Sequence, residues 1–299
     1  MSSANMRSAG SRRTGPAGPV LWRTMARGTV VDGRTAVVTG AASGIGRALA
    51  QRLAQHGCPV AICDWDEAGL EETAASIAGP VLARRLDVSD RHGTLAFAAA
   101  VEEWMPAPLG IVVNNAGVTV SQTAAEGSIE DDEWVMNVNF WGVVNGTRAH
   151  LPILLRQRSG AVVNVSSVFG LMAFPTQSSY CASKFAVRGY TEALRHELRG
   201  SGVNAITVHP GGIRTNIVKN ARFHVDDQGG TDHEKMVREF ARIARTSPAK
   251  AAKTIHDGVV KGRDRILIGS DATAISLLTR AVPVHYFDVI ERGMKLVRR

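Results

Sequence analysis

The sequence has few cysteines and no long hydrophobic run, and its central part has no excess charge. Three cysteines among 299 residues, Cys58, Cys63 and Cys181, follow neither the spacing of a disulfide framework nor that of a metal site. We therefore expect reduced thiols, a cytoplasmic location and no bound metal. No run of about 18 apolar residues is present, so we expect no transmembrane span.

The formal charge of +8 lies at the two ends of the chain. Residues 1–31 contain five arginines and no acidic residue, and residues 278–299 carry a net charge of +3, which leaves the part between them neutral. Nucleic-acid binding is therefore not expected. Residues 1–31 are rich in Ser, Gly, Arg and Pro and lack the apolar core of a signal peptide, which predicts a disordered basic tail.

The ordered part begins with a strand, a glycine-rich turn and a helix. The apolar run 35–39 is typical of a strand buried in a parallel sheet, and Gly40, Gly44 and Gly46 follow it. Glycines let the backbone approach phosphate groups, and the unpaired N–H groups and dipole of a helix N-terminus hold their negative charge. This order predicts a site for the pyrophosphate of a dinucleotide.

Asp64 ends the second predicted strand, 24 residues after Gly40. A carboxylate here can accept hydrogen bonds from both hydroxyls of the adenosine ribose and would repel a 2′-phosphate. Ser43 and Trp65, at neighbouring positions, carry no positive charge that could offset the repulsion between Asp64 and a 2′-phosphate. NAD is therefore favoured over NADP. The alternative is that Asp64 only caps a following helix over 66–77.

Polar or small residues also follow three further predicted strands. They are Asp87-Val88 after 81–86, Asn114-Asn115-Ala116-Gly117 after 110–113, and Ser166-Ser167 after 161–165. The carboxyl ends of parallel strands lie over a bound dinucleotide, although Asn can also be a plain turn residue. A helical region over 129–155 contains Asn137, Asn139 and Gly142, which are poor helix formers and predict a local distortion that frees a carbonyl.

Tyr180 and Lys184 are four positions apart and so lie on one face of a predicted helix. A free tyrosine titrates near pH ~10, and a nearby ammonium group lowers that pKa towards the range in which a phenol exchanges protons at neutral pH. Such a pair also occurs by chance on surface helices. Its interpretation as an acid/base pair depends on the other motifs of the chain.

The chain resembles the short-chain dehydrogenase/reductase family over about residues 31–270. The resemblance rests on motifs in a fixed order: Thr39-Gly40-x-x-x-Gly44-Ile45-Gly46, Asn114-Asn115-Ala116-Gly117, Asn139, Ser167, Tyr180-x-x-x-Lys184 and Pro210-Gly211. It implies that Ser167 binds the substrate oxygen, that Tyr180 exchanges its proton as hydride passes to or from the nicotinamide, and that Lys184 holds the nicotinamide ribose and lowers the pKa of Tyr180. Asn139, rather than Asn137, would bind a water that connects Lys184 to solvent. Ser166 is the rival of Ser167, and the spacing to Tyr180 favours Ser167.

The resemblance also implies the residues of a cofactor site. These are Gly40, Ser43, Gly44, Ile45, Gly46, Asp64, Asp87, Val88, Asn115, Ala116, Gly117, Tyr180, Lys184, Pro210, Gly211, Ile213 and Thr215. Substrate contacts are expected from Ser167, Phe169 and Tyr180, whereas His209, an isolated histidine, is expected to be structural. Family members usually pair through the helices that correspond to 130–155 and 178–199, so we expect a homodimer or homotetramer.

Two segments are expected to lie outside the sheet. Residues of about 213–246 lose strand periodicity and are expected to form a mobile substrate lid. Residues 271–299 are expected to form a helical extension, in which an amphipathic segment after Pro283 packs on the body or on a neighbouring subunit. A peripheral membrane contact is the alternative.

Together these features predict one α/β domain over 32–270. Its core would be a single doubly wound parallel seven-stranded sheet, the Rossmann fold, with helices on both faces and strand order 3-2-1-4-5-6-7. The expected function is hydride transfer between NAD and a secondary alcohol or ketone, and Phe169, Phe174 and Trp141 favour an apolar or alicyclic small-molecule substrate. The alternatives are an NADP-dependent carbonyl or 3-oxoacyl reductase and, in another class, a non-catalytic dinucleotide-sensing or scaffolding protein.

Overall fold

The structure, a computed structural model, describes residues 28–297. Its strands are β1 (Thr35–Thr39), β2 (Val60–Asp64), β3 (Val81–Arg85), β4 (Leu109–Asn114), β5 (Val120–Ser121), β6 (Gly160–Val165), β7 (Val203–Pro210), β8 (Arg222–Phe223) and β9 (Arg265–Ile268). Seven of them form a parallel sheet in the order β3-β2-β1-β4-β6-β7-β9, and β5 pairs with β8 in a separate two-stranded sheet. Because β5 and β8 lie outside the main sheet, this order is the predicted 3-2-1-4-5-6-7, and the predicted fold class is confirmed.

Helices connect the strands and cover the sheet. They are α1 (Gly44–Gln55), α2 (Glu67–Ala75), α3 (Arg91–Trp104), α4 (Ile129–Met136), α5 (Gly142–Gln157), α6 (Ser178–Glu197), α7 (His233–Ile243), α8 (Pro248–Val260), α9 (Ser270–Ala281) and α10 (Tyr286–Val297). Short polar side chains set several of their starts. Asp66 caps α2 by accepting a hydrogen bond from Gly69 N, and Ser247 caps α8 with Pro248 in its first turn.

The sheet is buried on both faces, which explains why its strands are continuous runs of apolar residues. Successive side chains of β1 point to opposite sides, so Val38 packs with Leu49 of α1 and Ile255 of α8, whereas Val37 packs with Val101 of α3 and Leu154 of α5. Each fully buried side chain of this size contributes about 1.5–3 kcal/mol. This packing covers the faces and leaves the carboxyl ends of the strands as the place for a site.

The predicted distortion in the long helical region is present. Between α4 and α5, residues Asn137–Trp141 form one turn of π-helix. Asn139, inside this turn, is fully buried, whereas Asn137 is exposed. A π-turn releases backbone groups from the regular helical pattern and often marks a functional position.

The two ends of the chain differ in part from expectation. The predicted tail over 1–31 lies outside the described residues except for 28–31, where Thr29 and Val31 are buried, so the ordered domain begins before residue 32. At the other end, α10 lies on the body: the Tyr286 hydroxyl accepts a hydrogen bond from Ala173 N at 2.9 Å. Among residues 28–297, none of the helices is both long and apolar enough to span a bilayer.

Candidate active site

The glycine-rich turn between β1 and α1 packs too closely against its neighbours to admit side chains. Gly40 has φ +67°, and a Cβ there would lie 2.7 Å from Ala116 Cα. A Cβ on Gly46 would lie 2.0 Å from Gly40 O, and Gly44, with φ +56°, faces the Thr215 side chain. Ser43, the N-cap of α1, makes no side-chain capping bond, and Ile45 is in the first turn of α1. The free N–H groups of this turn fit the pyrophosphate of a dinucleotide.

Asn115 holds the glycine turn from the end of β4. Its Nδ2 donates to Thr39 O at 3.0 Å and to Gly40 O at 3.1 Å. Thr39 Oγ1 accepts in return from Asn115 N and Ala116 N, at 3.0 and 3.1 Å. The Asn115 side chain is thus engaged by backbone, and Thr39, to which the sequence analysis gave no role, positions the turn.

Asp64 is bound to the same turn. The Asp64 carboxylate, 9% exposed, accepts from Ala42 N at 2.9 Å and from Asp66 N at 3.0 Å. Burial raises the pKa of Asp64, and these two backbone hydrogen bonds oppose the rise. Because Asp66 and not Asp64 caps α2, the alternative role of Asp64 as a helix cap is wrong.

Arg47 is a base near Asp64 that the sequence analysis missed. A cavity of ≈ 430 Å³ is lined by Ser43, Arg47, Asp66 and Glu72, among other residues. The Arg47 guanidinium donates to Ala42 O and to Gly69 O, and forms an ion pair with Glu72 at 2.9 Å. Arg47 lies on α1, three residues after Gly44. Looking for a compensating base only at Ser43 and Trp65 therefore could not identify it.

The residues after β3 and β7 lie at the carboxyl-terminal edge of the sheet, as the glycine turn does. Asp87 is exposed, and its carboxylate accepts from Ser89 N at 2.9 Å, while Val88 is buried. Pro210 ends β7, and Gly212 N donates to the Asp271 carboxylate at 2.6 Å. A Cβ on Gly211 would lie 2.1 Å from the same carboxylate. Asp271, another residue missed from the sequence, therefore holds the turn that leads to Ile213 and Thr215.

The four predicted catalytic residues meet at the carboxyl ends of β4 and β6. Tyr180 and Lys184 lie on α6 and are 8% and 3% exposed, Ser167 follows β6, and Asn139 lies in the π-turn. Lys184 Nζ is 5.6 Å from the centre of the Tyr180 ring and donates to Val165 O at 3.2 Å. Asn139 Oδ1 accepts from Val118 N at 2.8 Å, and its Nδ2 donates to Val118 O and to Ser183 Oγ.

Gly117 connects this group to the turn after β4. A Cβ on Gly117 would lie 3.2 Å from both Asn139 Oδ1 and Lys184 Nζ. A side chain here would therefore press on the buried ammonium group. The chain keeps Gly117 small where the predicted cofactor and catalytic residues come together.

The structure distinguishes Ser167 from Ser166. Ser166 Oγ donates to Lys184 O at 2.8 Å and so anchors α6. Ser167 Oγ accepts from Phe169 N at 3.1 Å and is close enough to the Tyr180 phenol to favour its ionised form. Ser167, and not Ser166, faces the tyrosine. Buried His209 supports it from behind, because its Nδ1 donates to Ser167 O at 2.9 Å, in the structural role that was expected.

The pKa of Tyr180 differs from the expectation. Burial raises the pKa of Tyr180 to about 12, and the interaction with Ser167 only partly opposes this rise. Burial also lowers the pKa of Lys184 to about 8. The predicted lowering of the tyrosine pKa by Lys184 is therefore wrong for the chain without cofactor, because the cost of desolvating the phenolate exceeds the effect of an ammonium placed over the ring face.

Aromatic rings extend from the tyrosine to the C-terminal helix. Phe169 packs edge-on against Tyr180 at 5.9 Å and parallel to Phe174 at 5.8 Å, and Phe174 meets Phe287 of α10 at 5.9 Å, between ring centres. Trp141 does not join this row. It packs on Phe140 and is 51% exposed, so its assignment to the substrate pocket has no support in the packing.

The predicted lid segment contains structure of its own. Its strand β8 pairs with β5, and α7 follows with no buried residue. Buried Asp131 of α4 accepts hydrogen bonds from Arg222 at 2.6 Å and from His224 at 2.7 Å. These bonds fasten Arg222 and His224 of this segment to α4.

Comparison with known proteins agrees with this arrangement. The short chain dehydrogenase family model matches residues 34–226. The putative oxidoreductase SadH of Mycobacterium tuberculosis is 42% identical over an alignment of 269 residues, which covers 88% of this chain and 96% of that protein. The 2-(R)-hydroxypropyl-CoM dehydrogenase of Xanthobacter autotrophicus is 36% identical over 250 residues, covering 81% of this chain and 94% of that protein.

A solved structure has the same fold. A short-chain dehydrogenase/reductase from Burkholderia phymatum in complex with NAD gives a TM-score of 0.75 at 31% identity, and the match covers 84% of this chain and 94% of that one. Sequence, sheet order and site geometry thus lead to one conclusion. The chain belongs to the short-chain dehydrogenase/reductase family and is an NAD(P)-dependent oxidoreductase that transfers hydride between the nicotinamide cofactor and an alcohol or ketone.

Proposed function

We propose that this protein interconverts a secondary alcohol and its ketone with Tyr180 as the proton donor and acceptor and with NAD as the preferred cofactor. The observation that supports it most is the buried group of Ser167, Tyr180 and Lys184 beside the glycine turn. A phenol and a hydroxyl in one buried place can bind one substrate oxygen together. This is the arrangement that proton transfer to a carbonyl oxygen requires.

The proposed roles follow from the contacts of each side chain. The dinucleotide would lie along the glycine turn and Asp64 and would supply or accept the hydride. Tyr180, with its pKa raised to about 12, is protonated at neutral pH and so is set to donate a proton to a ketone oxygen. Ser167 would hold that oxygen by a second hydrogen bond. Lys184, bound through its backbone to Ser166, would carry the positive charge that stabilises a phenolate in the reverse direction.

Asn139 is proposed as a positioning residue. Its amide is fully used by Val118 and Ser183, so it fixes the π-turn against the segment after β4 and the helix that carries Tyr180. The family resemblance assigns it a water that connects Lys184 to solvent. Replacing Asn139 by alanine should lower kcat because Lys184 would no longer be held in position. A larger loss of kcat at low buffer concentration than at high would indicate that Asn139 also serves the path by which protons reach solvent.

NAD is proposed as the cofactor because the buried Asp64 carboxylate faces the glycine turn. We expect kcat/KM to favour NAD over NADP by at least about tenfold, which is about 1.4 kcal/mol. Asp64→Asn should narrow this ratio. Equal efficiency of the two cofactors in the wild type would contradict the role of Asp64.

An NADP-dependent reductase is the second candidate, and Arg47 is the observation that favours it. Arg47 lines the cavity beside Asp66 but is already bound to two carbonyls and to Glu72. If Arg47 held a 2′-phosphate, Arg47→Gln would lower kcat/KM for NADP and leave NAD unchanged. Under the NAD proposal the variant changes the efficiency with both cofactors alike.

The substrate is proposed to be an apolar or alicyclic alcohol or ketone. Its support is the row of rings from Phe169 through Phe174 to Phe287, which begins at Tyr180. A panel of secondary alcohols of increasing apolar size, followed by the absorbance of the reduced cofactor, tests it. We expect kcat/KM to rise with apolar size, and a preference for sugars or charged acyl thioesters would contradict the proposal.

A homo-oligomer is proposed from exposed apolar side chains on the two helices that the family uses for pairing. Trp141, Leu155 and Phe185 are 51%, 39% and 41% exposed. Sedimentation of the wild type should give a dimer or tetramer, and Phe185→Asp should shift it towards the 31.9 kDa monomer. A wild type that sediments as a monomer would contradict this assembly. A cytoplasmic location stays a prediction, supported by three buried cysteines without a disulfide.

A further inference from the structure

Two histidines and an aspartate meet far from the proposed active site. Asp32 lies before β1, His56 follows the end of α1, and His256 is on α8. Because Gly40 follows β1 and Asp32 precedes it, this group lies at the amino-terminal edge of the sheet, opposite the glycine turn. The three residues are brought together from 24 and 224 positions apart, so no local spacing in the sequence could indicate them.

The possible ligand atoms of the three side chains lie close together. Asp32 Oδ2 is 3.2 Å from His56 Nδ1, and Asp32 Oδ1 is 2.8 Å from His256 Nε2. One ligand atom from each residue lies within 4.8 Å of the other two, and the imidazole centres are 4.3 Å apart. In a tetrahedral zinc site with bonds of about 2.0–2.2 Å, neighbouring ligand atoms are about 3.3 Å apart. The separations of the Asp32 oxygens from the two imidazole nitrogens, 3.2 and 2.8 Å, are slightly shorter than that value.

We propose that Asp32, His56 and His256 bind a divalent transition-metal ion of the Zn²⁺ type. Two imidazoles and one carboxylate form a donor set that suits this ion, with water completing the fourth position. The Asp32 side chain is 56% exposed and the His56 side chain 34% exposed, so an ion can enter from solvent, whereas His256, 4% exposed, anchors the site.

The surroundings also suit a bound ion. Metal-bound histidines usually have a carboxylate near their second ring nitrogen. Buried His256 Nδ1 has no hydrogen-bond partner, and Asp257 Oδ1 lies 3.9 Å away, within reach of a small movement. Arg52 and Lys253, two cations beside this group, are both paired with Asp257. The ion would join the start of β1, the end of α1 and the middle of α8, three elements that contribute to one hydrophobic core. These elements come together only when the chain is folded, so the ion would bind the folded state.

A metal-binding assay on the untagged full-length protein tests the proposal. After removal of metals with a chelator, the protein is titrated with Co²⁺, whose visible absorption reports tetrahedral coordination, and then with Zn²⁺ as competitor. We expect saturable binding of one ion per chain and displacement of Co²⁺ by Zn²⁺. Because the ion binds the folded state only, Tm should rise by about 5 °C at a hundredfold excess over Kd.

Variants show whether binding belongs to this site. His56→Gln and Asp32→Asn change partly exposed side chains and should abolish both the Co²⁺ spectrum and the rise in Tm, while circular dichroism shows an intact fold. His92→Gln, at an exposed histidine of α3, is the matched control and should bind as the wild type does. Absence of saturable binding, binding that persists in His56→Gln, or variants that lower Tm equally with and without metal would overturn the proposal and leave an ordinary ion-pair cluster.

Discussion

Replacing Tyr180 by phenylalanine removes one buried oxygen and leaves the rest of the site in place. The ring keeps its edge contact with Phe169 at 5.9 Å and its packing with Val120 and Val135. Ser167 Oγ keeps its hydrogen bond from Phe169 N. Loss of one polar interaction therefore costs about 1 kcal/mol of folding stability. Loss of the proton donor costs more, because general acid/base catalysis contributes about 10²–10⁴-fold, or roughly 2.7–5.4 kcal/mol of activation free energy.

The assay separates these two effects. Turnover is followed by the absorbance of the reduced cofactor, cofactor binding by calorimetry, and stability by thermal unfolding. We expect kcat of Tyr180→Phe to fall by about 10²–10⁴-fold while cofactor affinity stays unchanged. Tyr286→Phe, on α10, removes a hydroxyl that accepts from Ala173 N and serves as the matched control with near-normal kcat. Near-normal turnover of Tyr180→Phe would refute the acid/base role and return the pair to two neighbours on a helix.

Three further outcomes follow from the contacts of the site. Because burial raises the pKa of Tyr180 to about 12 from its usual ~10, the folded chain without cofactor holds this proton more tightly than the unfolded chain. Its contribution to stability is complete below pH ~10 and is lost as pH rises towards 12, and a spectrophotometric titration in which wild type shows one more phenolate than Tyr180→Phe already near pH ~10 would contradict this. Ser167→Ala should lower kcat by about 10-fold or more with little change in Tm, whereas Ser166→Ala, which frees Lys184 O, should lower Tm as well, and equal effects of the two on kcat would argue against Ser167 as the substrate contact. Asp131→Asn should weaken the bonds to Arg222 and His224 and raise KM more than it lowers kcat, and a loss confined to kcat would argue against a lid role for this segment.

Local sequence patterns were sufficient for the architecture. A strand such as 35–39, which is buried on both faces of a parallel sheet, is a continuous run of apolar residues. Such a run can be recognised from its own composition, without knowledge of the strands beside it. The glycines of the first turn are required by backbone geometry within a few residues, which makes the turn visible in the sequence. The break at Asn139 was also predictable, because poor helix formers inside a helix indicate a local reason for their presence. Each of these signals acts over a few residues.

The choice between neighbouring residues required the tertiary structure. Ser166 and Ser167 are adjacent and chemically identical, and only the packing of β6 against α6 turns one towards Lys184 O and the other towards Tyr180. The tyrosine pKa likewise depends on burial, which the i, i+4 spacing to Lys184 does not contain. Its value therefore differed from the expectation.

Contacts between distant segments also could not be predicted from the sequence, because they depend on tertiary packing. Arg47 lies on α1 but binds Gly69 and Glu72 of α2, and Asp271 lies on α9 but holds the turn after β7. His56 and His256 meet on one carboxylate across 200 residues of chain. Sequence patterns report the period and composition of one element at a time, whereas these sites arise where separate elements pack, and their positions depend on the fold as a whole.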